Sequence, residues 1–577
     1  MAGTQAEFGN TQLRAKVVGP LPLLNRFIER LELDRFLGEM VPAGDRRQKL
    51  PPAVGLGVLL RNILIAREPL YELSEWSSRF EPALLGLKRD AAQYLNDDRI
   101  GRCLDALFRA DRATLMTRIV VHAVREFGLE LKQLHNDSTS VSFSGDYIEA
   151  DGKPADDGRS TKQIAHGHNK DHRPDLKQLL FILTTTADGA VPIFCHVDDG
   201  NTADDTTHIR TWEALCKLVG GPMFLYIADC KLCSDPNLTY ISQRDGRFVT
   251  VIPANWNEHK QFHEWMRTHT VPWEELLRRP NSRRKKGDPE VYYGYESPTR
   301  TKHGFRVLWY FSTQKAAIDR ATRQHNITTA EKELESVAAR IGTPYARLNT
   351  AEEVRAAAEK ILAAKKAGRF IEFNVAFKEE ERFTQAKAGR PGRNTPYIRQ
   401  VHQRPELTWS TNAEALKEEA RTDGIFPLIT NDETLTLKDA LTAYKHQPKL
   451  EKRFQQFKSV LDVRPVMLHN HLRIEALLFL YFLALMIEAL IERDIRARMH
   501  QQKISVLRIY PEQRKCKAPT TARVFEVFSD LRRYRVIDET GSVRHRYYDE
   551  LTELQRRVLS LFNISPRTYL SDAEELG

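Results

Sequence analysis

Residues 131–254 restrict the possible folds, because strand and helix candidates follow one another there in the order strand, strand, strand, helix, strand, strand. The first candidate is LKQLHNDSTSVSFSGD, with β-branched residues around Asp137. KQLLFILTTTADG and AVPIFCHVDDG follow as a hairpin with an Asp-Gly turn. A helix over 206–219 and two buried strands, MFLYIADC and GRFVTVIPA, complete the series. This order predicts a mixed sheet of the α/β or α+β kind, with Asp137 in its first strand and Asp229 at the end of its fourth.

The flanking regions differ in their periodicity. Apolar residues at three- and four-residue spacing from about 20 to 130 predict an all-α domain, and that it reads DNA is a hypothesis. The apolar run 476–487 is too short to span a bilayer and predicts a buried helix. We therefore predict an N-terminal helical domain, the candidate DNA-binding domain (1–130), a first part of a mixed-sheet core (131–254), a β-rich insertion with a helical segment (255–421), a second part of the core (422–495) and a C-terminal helical region (496–577).

Composition favours a polyanionic partner without identifying it. The net charge is +10 and the isoelectric point is near 9.1, which is modest for 577 residues. The N-terminal residues lack the apolar segment of a signal peptide. Six cysteines in so long a chain do not form a disulfide framework. We expect a cytoplasmic protein that is not held in a membrane.

The stretch YKHQPKLEKRFQQFK, residues 444–458, predicts a short amphipathic helix. Glu451 and Lys458 are seven residues apart, so two helical turns place them on one face. An apolar stripe lies on the opposing face, so the face that carries Glu451 and Lys458 is free to point at a polar group. Its members are Leu450, Phe454 and Phe457.

Two aspartates on strands and a glutamate on a helix can hold divalent cations. Mg²⁺ prefers oxygen ligands and keeps water or phosphate oxygens in its remaining positions. Two such ions, about 3.5–4 Å apart, activate the attacking oxygen and stabilise the leaving oxygen in phosphodiester cleavage. We take Asp137, Asp229 and Glu451 as the catalytic and metal-binding carboxylates. Asp204 and its acidic neighbours read as ordinary caps at a helix start.

Three blocks carry a resemblance to a known family. They are HNDSTSVSFSG with the following GHNKDHRPDLKQ, YIADCKLCS, and residues 444–458. The chain resembles DDE transposases of bacterial insertion sequences, which have a ribonuclease-H-like core. In the related subgroup the last block reads Tyr, two residues, Arg, three residues, Glu, six residues, Lys. Tyr444, Glu451 and Lys458 match this signature, whereas Gln447 stands where the signature has Arg. Gln447 can still donate a hydrogen bond, but it lacks the bidentate cation.

The resemblance implies an enzyme that cleaves DNA at the ends of its mobile element and joins those ends to target DNA. It implies two Mg²⁺ ions, with Mn²⁺ as a substitute, and double-stranded DNA bearing terminal inverted repeats as partner. It also implies a homodimer in the synaptic complex. The candidate DNA contacts, from the signature, the basic loop after the first strand and the insertion, are Tyr444, Gln447, Lys458, Lys170, Arg173, Lys177, Arg283, Arg284, Lys285 and Trp309.

Two alternatives stay open at the level of sequence. One is a nuclease of the same fold that cuts DNA without joining it. The other is a DNA-binding protein derived from a transposase whose catalytic site has decayed. The intact carboxylate trio argues against decay, and the large insertion argues against a simple nuclease.

Overall fold

The computed structural model describes residues 11–43, 49–88, 91–280, 287–343, 348–461, 468 and 470–571. The described residues fall into two compact units. The first unit lies within Met1–Thr250 and Ala440–Gly577, and the second within Val251–Asp439. The second unit therefore begins close to the predicted start of the insertion and extends beyond its predicted end at residue 421.

The N-terminal part of the first unit is one strand followed by helices. Asn96 caps the fifth helix as its position suggests, since its side-chain oxygen accepts a hydrogen bond from the Arg99 amide at 2.9 Å. The elements are β1 (Gln12–Val17), α1 (Leu21–Arg30), α2 (Leu33–Met40), α3 (Pro52–Ile65), α4 (Leu73–Ser78), α5 (Asp97–Arg109) and α6 (Arg112–Phe127).

A mixed sheet follows, in the predicted order of elements with one additional helix. The elements are β2 (Gln133–Phe143), β3 (Lys177–Thr186), β4 (Pro192–Asp198), α7 (His208–Val219), β5 (Leu225–Ala228), α8 (Asp235–Ser242) and β6 (Arg247–Val251). The strand order here is β4-β3-β2-β5-β6. Strand β2 is antiparallel to β3 and parallel to β5, so it is the strand at which the sheet changes direction. Nine of the eleven β2 residues are buried, all except Gln133 and Asp137, which are partly exposed.

The second unit combines an antiparallel sheet with a helical hairpin and a long ribbon. Its elements are α9 (Asn257–Thr268), β7 (Glu274–Arg279), β8 (Glu290–Glu296), β9 (Arg306–Ser312), α10 (Thr313–Arg340), α11 (Ala351–Ala364), β10 (Ile371–Gln385), β11 (Tyr397–Thr411), α12 (Ala413–Ala420) and β12 (Ile425–Thr430). Strands β12, β9, β8 and β7 are neighbours in that order, and β10 pairs only with β11 among the described strands. The hairpin and the base of the ribbon share an apolar core that includes Leu334, Val354 and Leu407.

The chain then returns to the first unit. The remaining elements are α13 (Leu437–Tyr444), α14 (Gln447–Gln455), α15 (His471–Gln501), α16 (Thr521–Glu526), β13 (Arg532–Ile537), β14 (Val543–Tyr548), α17 (Glu553–Leu561) and α18 (Arg567–Leu570). Helix α15 is long and apolar enough to cross a membrane by length and composition, but 94% of its apolar window is buried inside the protein. It packs against α3, α5 and β4, which makes it the central helix of this unit.

A small sheet joins the two ends of the chain. Strand β1 pairs antiparallel with β13, and β13 pairs antiparallel with β14. The N-terminal region is thus not all-α, and the C-terminal region is not purely helical. Periodicity within each region does not reveal this pairing, because the partners of β1 lie more than 500 residues away.

Candidate active site

Asp137 and Asp229 occupy neighbouring positions on two parallel strands. The β2–β5 register pairs Asn136 with Ala228, and each aspartate is the next residue in its chain. Burial raises the pKa of Asp137 to about 6, with Lys170 opposing the rise and Asp229 adding to it. Burial also raises the pKa of Asp229. The strand topology therefore brings Asp229 close enough to Asp137 for its charge to raise the pKa of Asp137 further.

The Lys170 ammonium lies among the carboxylates of this site. Its Nζ atom is 3.5 Å from Asp137 Oδ1 and 3.1 Å from Asp204 Oδ2. It also donates to the carbonyl and the hydroxyl of Ser138, each at 2.8 Å. Burial alone would lower the pKa of the Lys170 amine, but the charges of Asp137 and Asp204 outweigh it and raise that pKa. Lys170 therefore belongs to the carboxylate site itself, and its predicted DNA contact stays a prediction.

Alternating serines on β2 hold the GHNKDH loop in place. Asn169 donates from Nδ2 to the Ser142 hydroxyl at 2.8 Å, and the Lys170 amide donates to the Ser140 hydroxyl at 3.2 Å. Ser138, one step further along the same strand face, accepts from Lys170 Nζ. Three successive same-face serines thus bind a continuous loop segment, which gives this sequence block a physical role in positioning Lys170.

The helix of the last block packs as predicted, but it does not stay α-helical as far as Lys458. Helix α14 begins at Gln447, and Leu450, Phe454 and Phe457 are buried. Residues 456–460 form a π-helical turn, so the simple two-turn spacing from Glu451 does not apply. Lys458 Nζ instead contacts both carboxylate oxygens of Asp171, at 2.7 and 3.0 Å.

Gln447 fastens α14 to the strand that carries Asp137. Its Nε2 donates to the Asn136 carbonyl at 3.1 Å, and its Oε1 lies 3.4 Å from His135 Nδ1. The side chain is buried, and burial lowers the pKa of His135 to about 4, so this imidazole is neutral at pH 7. The amide of Gln447 is therefore occupied inside the protein in this structure, where the family signature would place a guanidinium for phosphate.

Glu451 lies one helical turn after Gln447 and is exposed. Its charge, together with those of Asp137, Asp229 and Cys230, acts on the Tyr444 hydroxyl, whose pKa is raised first by burial and then by these groups. The charges of all three predicted carboxylates therefore act on one tyrosine. They do not converge further, because no three His, Cys, Asp or Glu side chains in the described part of the chain are close enough to hold a metal ion.

The other predicted DNA contacts are distributed as follows. Arg173 pairs with Asp175 on an exposed loop, and Lys177 donates to the Asp146 carbonyl. Trp309 is 1% exposed and stacks on Phe262 with ring centroids 3.7 Å apart, so its ring has no face open to a flipped base. Arg283, Arg284 and Lys285 lie outside the described residues.

Sequence reasoning missed two acidic members of this neighbourhood. Asp204 does lie at a helix start, but its Oδ1 accepts a hydrogen bond from Ser138 at 2.9 Å and its Oδ2 faces Lys170. Asp171 holds Lys458. The available signal was the serine alternation directly after Asp137, which marks a polar face on an otherwise buried strand.

The donor chemistry of the site suits a hard divalent cation. Asp137, Asp229 and Asp204 offer carboxylate oxygens, and the single ammonium of Lys170 leaves negative charge in excess. No thiolate is required, although Cys230 follows Asp229 directly. The excess negative charge of these residues can attract a hard cation.

Comparisons with known proteins each cover only part of the chain. A family profile described as "Domain of unknown function (DUF4277)" matches residues 13–121. No curated protein matches the chain. Among solved structures it is similar to the cryo-EM structure of the piggyBac transposase synaptic complex with hairpin DNA, at 14% identity and a TM-score of 0.27. That match covers 50% of this chain and 60% of the other, so the chain spans less than two thirds of that protein.

Proposed function

We propose that this chain is a DDE transposase with a ribonuclease-H-like core, which cleaves DNA at the ends of its insertion sequence and transfers those ends into target DNA. One observation carries the proposal. Asp137 and Asp229 stand side by side on parallel strands, and Gln447 fastens the Glu451 helix to the residue preceding Asp137. This juxtaposition brings together three blocks that are widely separated in sequence and that together carry the family resemblance.

Asp137, Asp229 and Glu451 would hold two Mg²⁺ ions, or Mn²⁺ in their place. When bound, these ions supply activation of the attacking oxygen and stabilisation of the leaving oxygen. Tyr444 is protonated at neutral pH, as tyrosine ordinarily is, and its raised pKa extends this to higher pH, so its hydroxyl can donate to a phosphate oxygen. Lys458, held by Asp171, would supply a fixed positive charge beside the terminal phosphate.

Cleavage and joining then use the same groups in turn. Both are in-line displacements at phosphorus, first with water and then with the freed 3′-hydroxyl as nucleophile, so positioning and charge stabilisation account for most of the catalysis. The N-terminal helices and the second unit would bind the terminal repeats, and two copies would pair the two ends. The basic balance of the chain is consistent with such a partner.

The test is a strand-transfer assay on labelled duplexes that carry the element's terminal repeat, with Mg²⁺ or Mn²⁺. We compare wild type with Glu451→Gln, and use Glu149→Gln, a second exposed glutamate, as the matched control. We expect metal-dependent cleavage and joining by wild type and the control, and a loss of at least about 100-fold in Glu451→Gln with DNA binding retained. Cleavage without joining would identify a nuclease, and specific binding without chemistry in wild type would identify a decayed transposase.

A further inference from the structure

Lys170 and Asp204 form an ion pair directly beside the proposed metal ligands. Lys170 Nζ is closer to Asp204 Oδ2, at 3.1 Å, than to Asp137 Oδ1, at 3.5 Å. Both partners are largely withdrawn from water, with 27% of the Lys170 side chain and 15% of the Asp204 side chain exposed. The pair is therefore much less screened than a surface ion pair.

The pair is held in position from both sides. Ser138 donates its hydroxyl to Asp204 Oδ1 at 2.9 Å, while its carbonyl accepts from Lys170 Nζ at 2.8 Å. Ser138 is also the residue after Asp137, and its amide donates to Asp137 Oδ1 at 2.7 Å. One residue of β2 thus positions the ammonium, its carboxylate partner and the first proposed ligand together.

Negative charge exceeds positive charge in this cluster. Three carboxylates, those of Asp137, Asp204 and Asp229, act on the one ammonium of Lys170, and Lys231 adds a weaker positive contribution at Asp229. A cation that binds Asp137 must therefore compete with Lys170. Asp204 opposes that competition, because it offers the ammonium a second carboxylate at a shorter distance.

We propose that Lys170 and Asp204 act as an internal counter-ion pair that sets the affinity of the Asp137–Asp229 site for divalent cations. Lys170 offsets part of the negative charge of the carboxylates before the metal binds, and Asp204 retains the ammonium once the metal takes its place beside Asp137. Both are positioning residues and act through Asp137. This inference rests on the proposed function, since it requires that Asp137 and Asp229 bind metal.

The pair predicts opposite effects of two substitutions. Lys170→Met removes the competing cation and should tighten Mn²⁺ binding by about tenfold. Asp204→Asn leaves Lys170 with Asp137 as its remaining carboxylate neighbour at this distance and should weaken Mn²⁺ binding by a similar factor. In the double variant Lys170→Met/Asp204→Asn, the Asp204 effect should disappear, because there is no ammonium left to retain.

The experiment is a titration of the full chain with Mn²⁺ in the absence of DNA, followed by electron paramagnetic resonance of the free ion. Asp137→Asn identifies the site, Lys170→Arg tests whether charge alone suffices, and thermal unfolding without metal shows which variants are folded. Tighter binding by folded Lys170→Met, with wild-type-like binding by Lys170→Arg, supports the proposal.

Three results would overturn it in distinguishable ways. Unchanged or weaker Mn²⁺ binding by Lys170→Met would show that Lys170 only anchors its loop. An Asp204→Asn effect that persists in the double variant would show that Asp204 is itself a ligand. Absence of Asp137-dependent Mn²⁺ binding in wild type would remove the metal site, and with it the proposed function as well as this inference.

Discussion

At the scale of single residues, the departure of Gln447 from the family signature has a structural explanation. The side chain is buried beside the neutral His135 and bonds the Asn136 carbonyl. A guanidinium in this orientation would bring a charge into a site that is desolvated enough to lower the pKa of His135 to about 4. Glutamine satisfies the same backbone acceptor without that charge.

Gln447→Ala should therefore weaken both folding and chemistry. The substitution leaves the buried Asn136 carbonyl without this donor, which costs about 1–3 kcal/mol of stability. It also loosens the helix that carries Glu451 relative to β2. We expect a lower midpoint in urea unfolding and a lower kcat for DNA cleavage. Gln455→Ala, an exposed glutamine on the same helix, is the control and should change neither quantity.

A second residue-scale prediction concerns Glu488 in the middle of α15. Burial raises its pKa from 4.5 to about 8, with Glu492 adding to the rise and Arg453 opposing it. Between about pH 4.5 and pH 8 the folded state therefore keeps the Glu488 proton, whereas the unfolded state has lost it. The free energy of unfolding falls as pH rises through this range. Below about pH 4.5 the Glu488 carboxyl is protonated in both the folded and the unfolded state, so it no longer makes stability depend on pH.

Glu488→Gln removes that dependence on pH. We expect the variant to unfold at a higher temperature than wild type at pH 9, by an amount corresponding to about 1–3 kcal/mol, and to differ little at pH 5. Differential scanning calorimetry at both pH values measures the change. An equal difference at the two pH values would show that Glu488 is already ionised in the folded protein. Glu149→Gln again serves as the exposed control.

At the scale of elements, the spacing of apolar residues predicted the helices and strands whose formation depends on that spacing. The strand candidates between residues 131 and 254, the apolar stripe of α14 and the buried α15 all follow from side-chain periodicity. The π-helical turn at 456–460 does not, because its backbone bonds replace the α-helical ones without a change in the apolar pattern. The sequence did not predict the Lys458–Asp171 contact, because the π-helical turn changes the direction of Lys458 and because the two residues are 287 positions apart.

The helical hairpin of the second unit supplies an element-scale prediction. Leu334 on α10 is fully buried in the core that α10 and α11 share with the base of the ribbon. Leu334→Ala should cost about 2–5 kcal/mol locally. Hydrogen exchange of the α10 and α11 amides should accelerate accordingly, while exchange in β2 and β5 is unchanged. Glu335→Ala, at the exposed neighbouring position, should leave exchange in both units as in wild type.

At the scale of the whole molecule, the predicted boundary at residue 130 does not separate two compact units. Helices α3 and α5 pack against α15, and Arg473 of α15 binds Asp105 of α5 through two bonds of 2.8 Å. Strand β1 pairs with β13. Periodicity predicts the helices of residues 1–130 but not their partner α15, because that partner lies beyond residue 470 in the sequence.

This organisation predicts different behaviour for two fragments of the chain. Residues 1–130 alone would expose the apolar faces of α3 and α5 that α15 covers, so the fragment should aggregate or bind an apolar dye such as ANS. Residues 251–439 have a core of their own and should unfold cooperatively as a monodisperse species. Size-exclusion chromatography and thermal melting distinguish the two. A stable, dye-free 1–130 fragment would show that the N-terminal helices form an independent domain, and their packing on α15 would then be a contact between domains rather than a shared core.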